Sequence, residues 1–330
     1  MIETRAHFVK ASTLRSPVGP KSDPIPLRLA KFGMRAARAI VRWARHAKSR
    51  ENLRIIKRNM IFPVRNALLK GRPISVRAGG QEFSLVAEGA VAADTWSRSR
   101  FERHELEFIL EILEPGMTFF DIGANVGLYS LAASRKVASG KVFSFEPCEW
   151  TYQRLLRNVE LNGLRNVFAI RTALGEFSGD AVMQVNARGK DGLNTLGRPG
   201  HPDCEVTGNE IVPIVTLDEF LQNSKVSTVD VMKVDVEGAE LSLFRGARNL
   251  LEQSAAPVIL YESDWMLTRG FDYHPVETMW LLQEFGYSFF VIDPSTGKIL
   301  RPPADRAYNA MVIAVKPTHP LYSTVSGAAC

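Results

Sequence analysis

The sequence predicts an α/β protein built on a mainly parallel β-sheet that is covered by helices on both faces. Short apolar segments alternate with helical patterns over most of the 330 residues, which is the arrangement of βαβ units. One apolar segment runs directly into a turn containing Gly123 and Gly127, and the next one ends at the acidic Glu146. Both features are typical of a ligand site at the carboxyl edge of a parallel sheet.

The elements follow in chain order. The Gly79-Gly80 pair between two apolar runs predicts a hairpin over 74–87, and a helical pattern from residue 103 ends at Pro115-Gly116. Strands are then predicted near residues 118–122, 141–146, 166–171, 211–216, 229–235 and 257–262. The segments 287–292 and 310–315 have no helical pattern between them, which predicts a hairpin and an antiparallel strand in the edge region of the sheet.

Charge divides the chain into two parts. Residues 1–70 contain 17 Lys and Arg and three acidic residues, a local net charge of +14, although the whole chain carries only +6. The three cysteines have neither disulfide-framework nor metal-ligand spacing. No apolar run reaches the roughly 18–20 residues of a membrane span, and no secretory signal pattern is present. The expected location is therefore the cytoplasm, and association with a membrane surface is compatible with it.

Three segments are expected: a proline-containing leader (1–26), a basic amphipathic helical extension (27–70), and a main domain (71–330) with a core at about 95–265. An Arg and Lys stripe opposite Phe32 and Trp43 in the extension suits peripheral contact with an anionic membrane. A helix packed on the main domain with a solvated basic face is an equal alternative. Nucleic acid is disfavoured as a partner because no RNP, KH or zinc-finger signature accompanies the charge. The sequence gives no oligomeric state.

The turn after the first central strand indicates the cofactor. Glycine at 123 and 127 lets the backbone bend sharply and approach a ligand. A pyrophosphate loop would have glycine where Asn125 stands, and Asp121 would repel phosphate. Asn125 is instead a candidate cofactor-binding residue of this turn. S-adenosylmethionine (SAM), which has an amino acid part and no phosphate, fits better, with Asp121 attracting its ammonium group. Glu146, at the tip of the next strand, is expected to accept two hydrogen bonds from the ribose hydroxyls.

A second polar segment, from Lys233 to Glu240, ends the apolar strand that begins near Val229. Asp235 and Glu237 are candidate bases for removing a hydroxyl proton, while Lys233 either adjusts the base or binds the acceptor oxygen. Glu240 is expected to cap the following helix. Asp235 and Glu262 could hold a divalent cation, but a bare acceptor pocket is favoured and no metal is predicted.

Together these segments resemble the FkbM family of SAM-dependent methyltransferases over about residues 95–265. The resemblance is carried by Phe101-Glu102, Gly116, the 121–127 turn, Glu146-Pro147, Asn158, Asn162, Ala173-Leu174-Gly175, Leu217-Asp218 and the 233–240 segment. It implies a class I methyltransferase fold, a Rossmann-like sandwich with seven strands. It also implies methyl transfer to a hydroxyl group of a saccharide, glycolipid or related natural product.

The same resemblance implies roles for single residues. Asp121, Gly123 and Gly127 would hold the methionine end of SAM, and Glu146 would hold the ribose. Ala173 would contact the adenine, and Asp235 would lie beside the reactive methyl group. Thr172 stands where this fold often has Asp or Asn for the adenine amino group, and a threonine hydroxyl can also bond there.

Other functions remain open. The acceptor is a small molecule or glycan in the first interpretation, and a protein or nucleic acid in the second. A NAD-dependent oxidoreductase is disfavoured by Asp121 and by the absence of GxGxxG. A non-catalytic Rossmann-like binding protein is disfavoured by the polar residues at 233–237. The glycine-rich insertion 186–209 is either a lid over the acceptor or a disordered surface loop.

Overall fold

The computed structural model describes residues 72–86, 88, 102–302 and 309–327. The predicted leader and basic helical extension lie outside these residues, so their structure and membrane contact stay predictions. Among the described residues, no helix is long and apolar enough to cross a membrane.

Strands and helices alternate through the described chain. The strands are β1 Ile74–Ala78, β2 Gln81–Leu85, β3 Thr118–Ile122, β4 Lys141–Phe145, β5 Val167–Ile170, β6 Ala173–Leu174, β7 Gly179–Asn186, β8 Val206–Val215, β9 Val231–Val234, β10 Val258–Ser263, β11 Ser288–Ile292, β12 Ile299–Leu300 and β13 Ala310–Val315. The helices are α1 Arg103–Ile112, α2 Leu128–Val137, α3 Glu149–Leu161, α4 Leu217–Ser224, α5 Glu240–Arg245, α6 Arg248–Glu252, α7 Trp265–Thr268, α8 Pro275–Glu284 and α9 Tyr322–Gly327. Single 3₁₀ turns lie at Asp191–Leu193 and Arg269–Phe271.

The central sheet has the order β12-β11-β13-β10-β9-β3-β4-β5. Strands β5, β4, β3, β9 and β10 are parallel, which confirms the predicted mainly parallel α/β class. The chain passes from β3 to β4 and β5 on one side and later crosses to β9 and β10 on the other. This reversal creates a switch point between β3 and β9, where α/β proteins bind ligands beyond the carboxyl ends of the strands.

The central strands are buried on both sides because their apolar runs are continuous. Phe119 and Phe120 are both fully buried, and they belong to different core clusters on opposite faces of the sheet. Adjacent residues of a strand point to opposite faces, so an unbroken apolar run is what a strand covered by helices on both faces requires. This packing fixes the positions at which the strands end.

The far side of the sheet differs in detail from the expectation. The predicted hairpin pairing of β11 with β13 is confirmed as antiparallel, but β13 also pairs with β10 and so lies between them rather than outermost. The short strand β12 adds an eighth, antiparallel strand at the edge. Its two residues are too few to give a sequence pattern.

The prediction that residues 211–216 belong to the central sheet is wrong. They end β8, which pairs with β6 and β7 in a separate three-stranded sheet. On β8, Val212 and Ile214 are buried whereas Ile211 is exposed, so only one face of this strand is covered. Exposed Ile211 and Pro213 alternate with buried Val212 and Ile214 along β8, and an apolar run in the sequence does not show that only one face will be covered.

Candidate cofactor and catalytic site

Strand register brings the predicted motifs together at one edge of the sheet. Ile122 pairs with Val234, and Val234 pairs with Tyr261. The residues that follow these three, Gly123, Asp235 and Glu262, therefore lie side by side at this edge of the sheet. The segments 121–127 and 233–240, more than a hundred positions apart in the chain, meet for this reason.

The turn from β3 into α2 lies directly against the chain after β9. Gly123 has φ of 77°, and a Cβ atom at this position would lie 1.7 Å from the carbonyl oxygen of Asp235. The N–H groups of Gly123 and Ala124 both donate to the carbonyl oxygen of Phe145, at 3.0 and 2.9 Å. Only glycine allows this close approach, so Gly123 fixes the distance between the two motifs.

Asp121 lies behind this turn and is fully buried. Its Oδ2 accepts hydrogen bonds from the N–H of Ser130, at 2.9 Å, and from the Ser130 hydroxyl, which fastens the first turn of α2 to β3. Its Oδ1 has no hydrogen-bond partner among the described residues. Burial raises the pKa of Asp121, although the Lys233 ammonium and the bonds from Ser130 act in the opposite direction. The predicted contact with the SAM ammonium depends on Oδ1 and stays a prediction.

Glu146 is buried at the tip of β4 and lines the cavity. Its carboxylate accepts from the N–H groups of Asn125 and Cys148, at 2.9 and 3.0 Å, and from the Thr151 hydroxyl at 2.6 Å. A carboxylate has about four acceptor positions, so one remains open for a ribose hydroxyl rather than the two expected. Burial raises the pKa of Glu146 to about 7, and these three hydrogen bonds oppose the rise.

Another part of the cavity wall is mainly apolar. Thr172 and Ala173, at the start of β6, are both buried there. The Thr172 hydroxyl donates to the carbonyl oxygen of Pro213 at 3.1 Å, so its oxygen keeps a lone pair that can accept from an amino group. Leu174 and Met183 add an apolar wall, which suits a planar base.

Lys233 and Asp235, which also line the cavity, form an ion pair. The Lys233 Nζ lies 2.8 Å from Asp235 Oδ2 and 5.0 Å from the centre of the Tyr129 ring. Burial alone lowers the pKa of Lys233, but Asp235, Glu102 and Asp121 together raise it above its ordinary value. Lys233 is therefore charged, and its contact with Asp235 favours the role of adjusting the carboxylate over that of binding an acceptor.

Two further carboxylates continue this acidic segment. Glu237 has a left-handed backbone with φ of 53°, and its Oε2 is buried without a hydrogen-bond partner among the described residues. Burial, and then the proximity of Asp235 and Glu240, raise the pKa of Glu237 well above its usual range. Glu240 accepts from the N–H groups of Val236 and Gly238. Glu240 thus has a structural role, but it stabilises the turn before α5 rather than capping the helix as expected, because both N–H groups precede the helix.

The cavity wall also includes Glu102, to which the sequence analysis gave no site role, and the insertion that it named as a candidate lid. Glu102, just before α1, lines the cavity, has φ of 42°, and has a pKa raised to about 7 by burial, with Lys233 opposing the rise. The insertion between β7 and β8 is also a cavity wall, through Asp191, Gly192, Asn194 and Leu196. The Thr195 hydroxyl donates to the carbonyl oxygen of Glu237 at 2.8 Å. The insertion is therefore ordered against the site, and movement as a lid stays a prediction.

The space between these walls amounts to about 970 Å³, including its opening to solvent. Of the predicted site residues, eight line it: Gly123, Asn125, Glu146, Thr172, Ala173, Lys233, Asp235 and Glu237. Asp121 and Gly127 lie behind the wall. The cavity has an apolar end for a base, a carboxylate for a ribose, and a buried Asn125 Oδ1 that has no partner among the described residues. These residues fit SAM.

Comparison with known proteins agrees with this geometry. The methyltransferase FkbM domain matches residues 121–289, just over half of the chain. The hexuronic acid methyltransferase AglP of Haloferax volcanii is 28% identical over 153 residues, covering 46% of this chain and 59% of that protein. The 31-O-demethyl-FK506 methyltransferase FkbM of Streptomyces tacrolimicus is 27% identical over 170 residues, covering 44% and 64%. The chain thus spans less than two thirds of either relative.

A solved structure, the precorrin-6y C5,15-methyltransferase of Geobacter metallireducens, aligns with a TM-score of 0.37 at 15% identity, covering 65% of this chain and 88% of that one. From the match over residues 121–289, the chain belongs to the family of the methyltransferase FkbM domain, which uses S-adenosylmethionine as its cofactor.

Proposed function

We propose that this protein is a SAM-dependent O-methyltransferase that methylates a hydroxyl group of a saccharide, glycolipid or related natural product. The observation that carries the proposal is the pairing of two motifs in one cavity. The Gly123 turn and Glu146 fit the cofactor, and Asp235 and Glu237, which can accept a hydroxyl proton, lie at the same cavity. The printed names of the two relatives, a hexuronic acid methyltransferase and an FK506-type methyltransferase, support an acceptor of this class.

Different residues of the chain would have different roles in such a reaction. When bound, SAM supplies a methyl group on a positively charged sulfur. Asp235, held in one orientation by Lys233, would accept a hydrogen bond from the acceptor hydroxyl and so orient its oxygen for the transfer. During the methyl transfer, Asp235 or Glu237 would accept the hydroxyl proton.

The test is transfer of label from methyl-labelled SAM into lysate fractions separated as glycan, lipid, protein and nucleic acid. Label in the glycan or glycolipid fraction supports the proposal and identifies the material from which to purify the acceptor. Label in the protein or nucleic acid fraction keeps the methyltransferase activity and overturns the acceptor class. Absence of label in all fractions, together with SAM binding in calorimetry, would favour a binding protein without turnover.

The role of Asp235 has its own test. Asp235→Ala should remove turnover with little change in SAM affinity, because Asp235 faces the acceptor end of the cavity. Glu146→Ala should weaken SAM binding instead. Titration calorimetry and label transfer on both variants separate the two effects, and equal loss of SAM affinity in both would contradict the assignment of acceptor and cofactor ends.

A further inference from the structure

An acidic cluster at the carboxyl edge of β9 and β10 has no partners that account for its charge. One carboxylate oxygen from each of Asp235, Glu237 and Glu262 lies within 4.8 Å of the other two. Asp235 and Glu262 follow paired positions on neighbouring parallel strands, and Glu237 reaches the same point from its left-handed backbone. Secondary structure therefore holds all three groups in place.

The hydrogen bonding of this cluster is incomplete. The Oε2 atoms of Glu237 and Glu262 are each withdrawn from solvent, and neither accepts a hydrogen bond from any described residue. A buried carboxylate oxygen without a donor costs free energy comparable to several hydrogen bonds. In contrast, the neighbouring Glu240 is satisfied by the N–H groups of Val236 and Gly238 and by the Tyr273 hydroxyl. Among these four neighbouring carboxylates, the unpartnered oxygens thus belong to Glu237 and Glu262.

The cluster also carries more negative than positive charge. Among the described residues, the ion pair of this cluster is the one between Lys233 and Asp235. Three negative groups and one positive group leave a net charge of −2. A single divalent cation would neutralise the remainder.

From the geometry we infer that Asp235, Glu237 and Glu262 bind one hard divalent cation, of the class of Mg²⁺, Mn²⁺ or Ca²⁺. Carboxylate oxygens are the ligands these ions prefer. Two ligands on opposite sides of an ion at 2.0–2.6 Å are about 4–5 Å apart, so the observed separations allow one ion to reach all three oxygens. This inference replaces the expectation of no metal, which considered Asp235 and Glu262 alone and lacked Glu237.

The catalytic use of the ion rests on the proposed function. Asp235 and Glu237 line the cavity, so an ion held by them would be accessible to an acceptor oxygen. Coordination lowers the pKa of a bound hydroxyl, and the oxygen of Glu237 that does not bind the ion stays free to receive the proton. Binding of the ion itself needs neither SAM nor an acceptor, and can therefore be measured separately.

The test uses the full chain, stripped with EDTA and desalted, and titrated with Mn²⁺ while the free ion is followed by electron paramagnetic resonance. One saturable site per chain is expected. Glu237→Gln and Glu262→Gln should each weaken binding by more than about tenfold, the lower end of losses seen on changing even outer-sphere groups. Glu240→Gln, which removes the same charge next to the cluster, and the exposed Glu284→Gln should retain the site. Absence of saturable binding, or equal affinity in all four variants, would overturn the inference.

Two further measurements keep the result interpretable. Mn²⁺ should raise the midpoint of thermal unfolding of the wild type but not that of Glu262→Gln. Without metal, Glu262→Gln should be at least as stable as the wild type, because the variant loses an unpartnered buried charge. Methyl transfer at full rate in EDTA would overturn the catalytic use of the ion and leave the proposed function standing. Failure of methyl transfer with and without Mn²⁺, while Mn²⁺ still binds, would count against the proposed function and not against the site.

Discussion

Replacing Gly123 by alanine tests the central feature of the site, which is the close approach of the cofactor turn to the chain after β9. The new Cβ atom would lie 1.7 Å from the carbonyl oxygen of Asp235, a backbone atom that cannot rotate away. Alanine at φ of 77° costs about 1–2 kcal/mol, and overpacking adds about 1–3 kcal/mol. The expected loss of unfolding free energy is therefore about 2–5 kcal/mol.

Gly163→Ala is the matched control. Gly163 also has a positive φ, of 62°, but a Cβ there would meet no atom within 4 Å, so only the backbone cost of about 1–2 kcal/mol applies. Urea denaturation measures both losses, and titration calorimetry measures SAM affinity. Gly123→Ala should lose more than tenfold in affinity, equivalent to about 1.4 kcal/mol, while Gly163→Ala should bind as the wild type does. Equal stabilities and equal affinities would refute the argument that this contact sets the site.

Three other predictions follow from buried polar groups. Asp121→Ala should weaken SAM binding, measured by calorimetry; unchanged affinity would limit Asp121 to fastening α2. Asn158→Ala should lower the unfolding free energy, measured by urea denaturation, by about 2–4 kcal/mol. Asn158 is fully buried, accepts from the N–H of Val86 at 2.7 Å and donates to the carbonyl oxygen of Val126 at 2.8 Å. Asn162→Ala, at a less buried position, should lower it less, and the reverse order would contradict this prediction. Because burial raises the pKa of Glu146 from 4.5 to about 7, the folded protein binds more protons than the unfolded chain in this window, so unfolding free energy should fall as pH rises from about 4.5 to 7. Glu146→Gln should remove up to about 3 kcal/mol of that fall, and thermal unfolding with the same pH slope as the wild type would contradict the assignment.

The sequence analysis predicted the central strands well because each is a continuous apolar run, and continuous runs are what doubly covered parallel strands need. It predicted the 121–127 turn because glycine and asparagine tolerate its backbone, as the φ values of 77° at Gly123 and 49° at Asn125 show. It failed at residues 211–216, which read as an apolar run in the sequence although exposed and buried residues alternate there in the structure. The order of β10, β13 and β11 was beyond it, because pairing between distant segments leaves no local pattern.

By itself, the sequence determined the α/β class, the cofactor turn and the acidic residues at the strand ends, since each depends on residues close together in the chain. Only the tertiary structure decided which of those acids meet. In the structure, Glu240 accepts hydrogen bonds from backbone N–H groups, and Lys233 forms an ion pair with Asp235. The Oε2 atoms of Glu237 and Glu262 have no donor among the described residues. The physical reason is that partners, burial and local charge depend on strand register and side-chain direction, which bring together segments far apart in the chain.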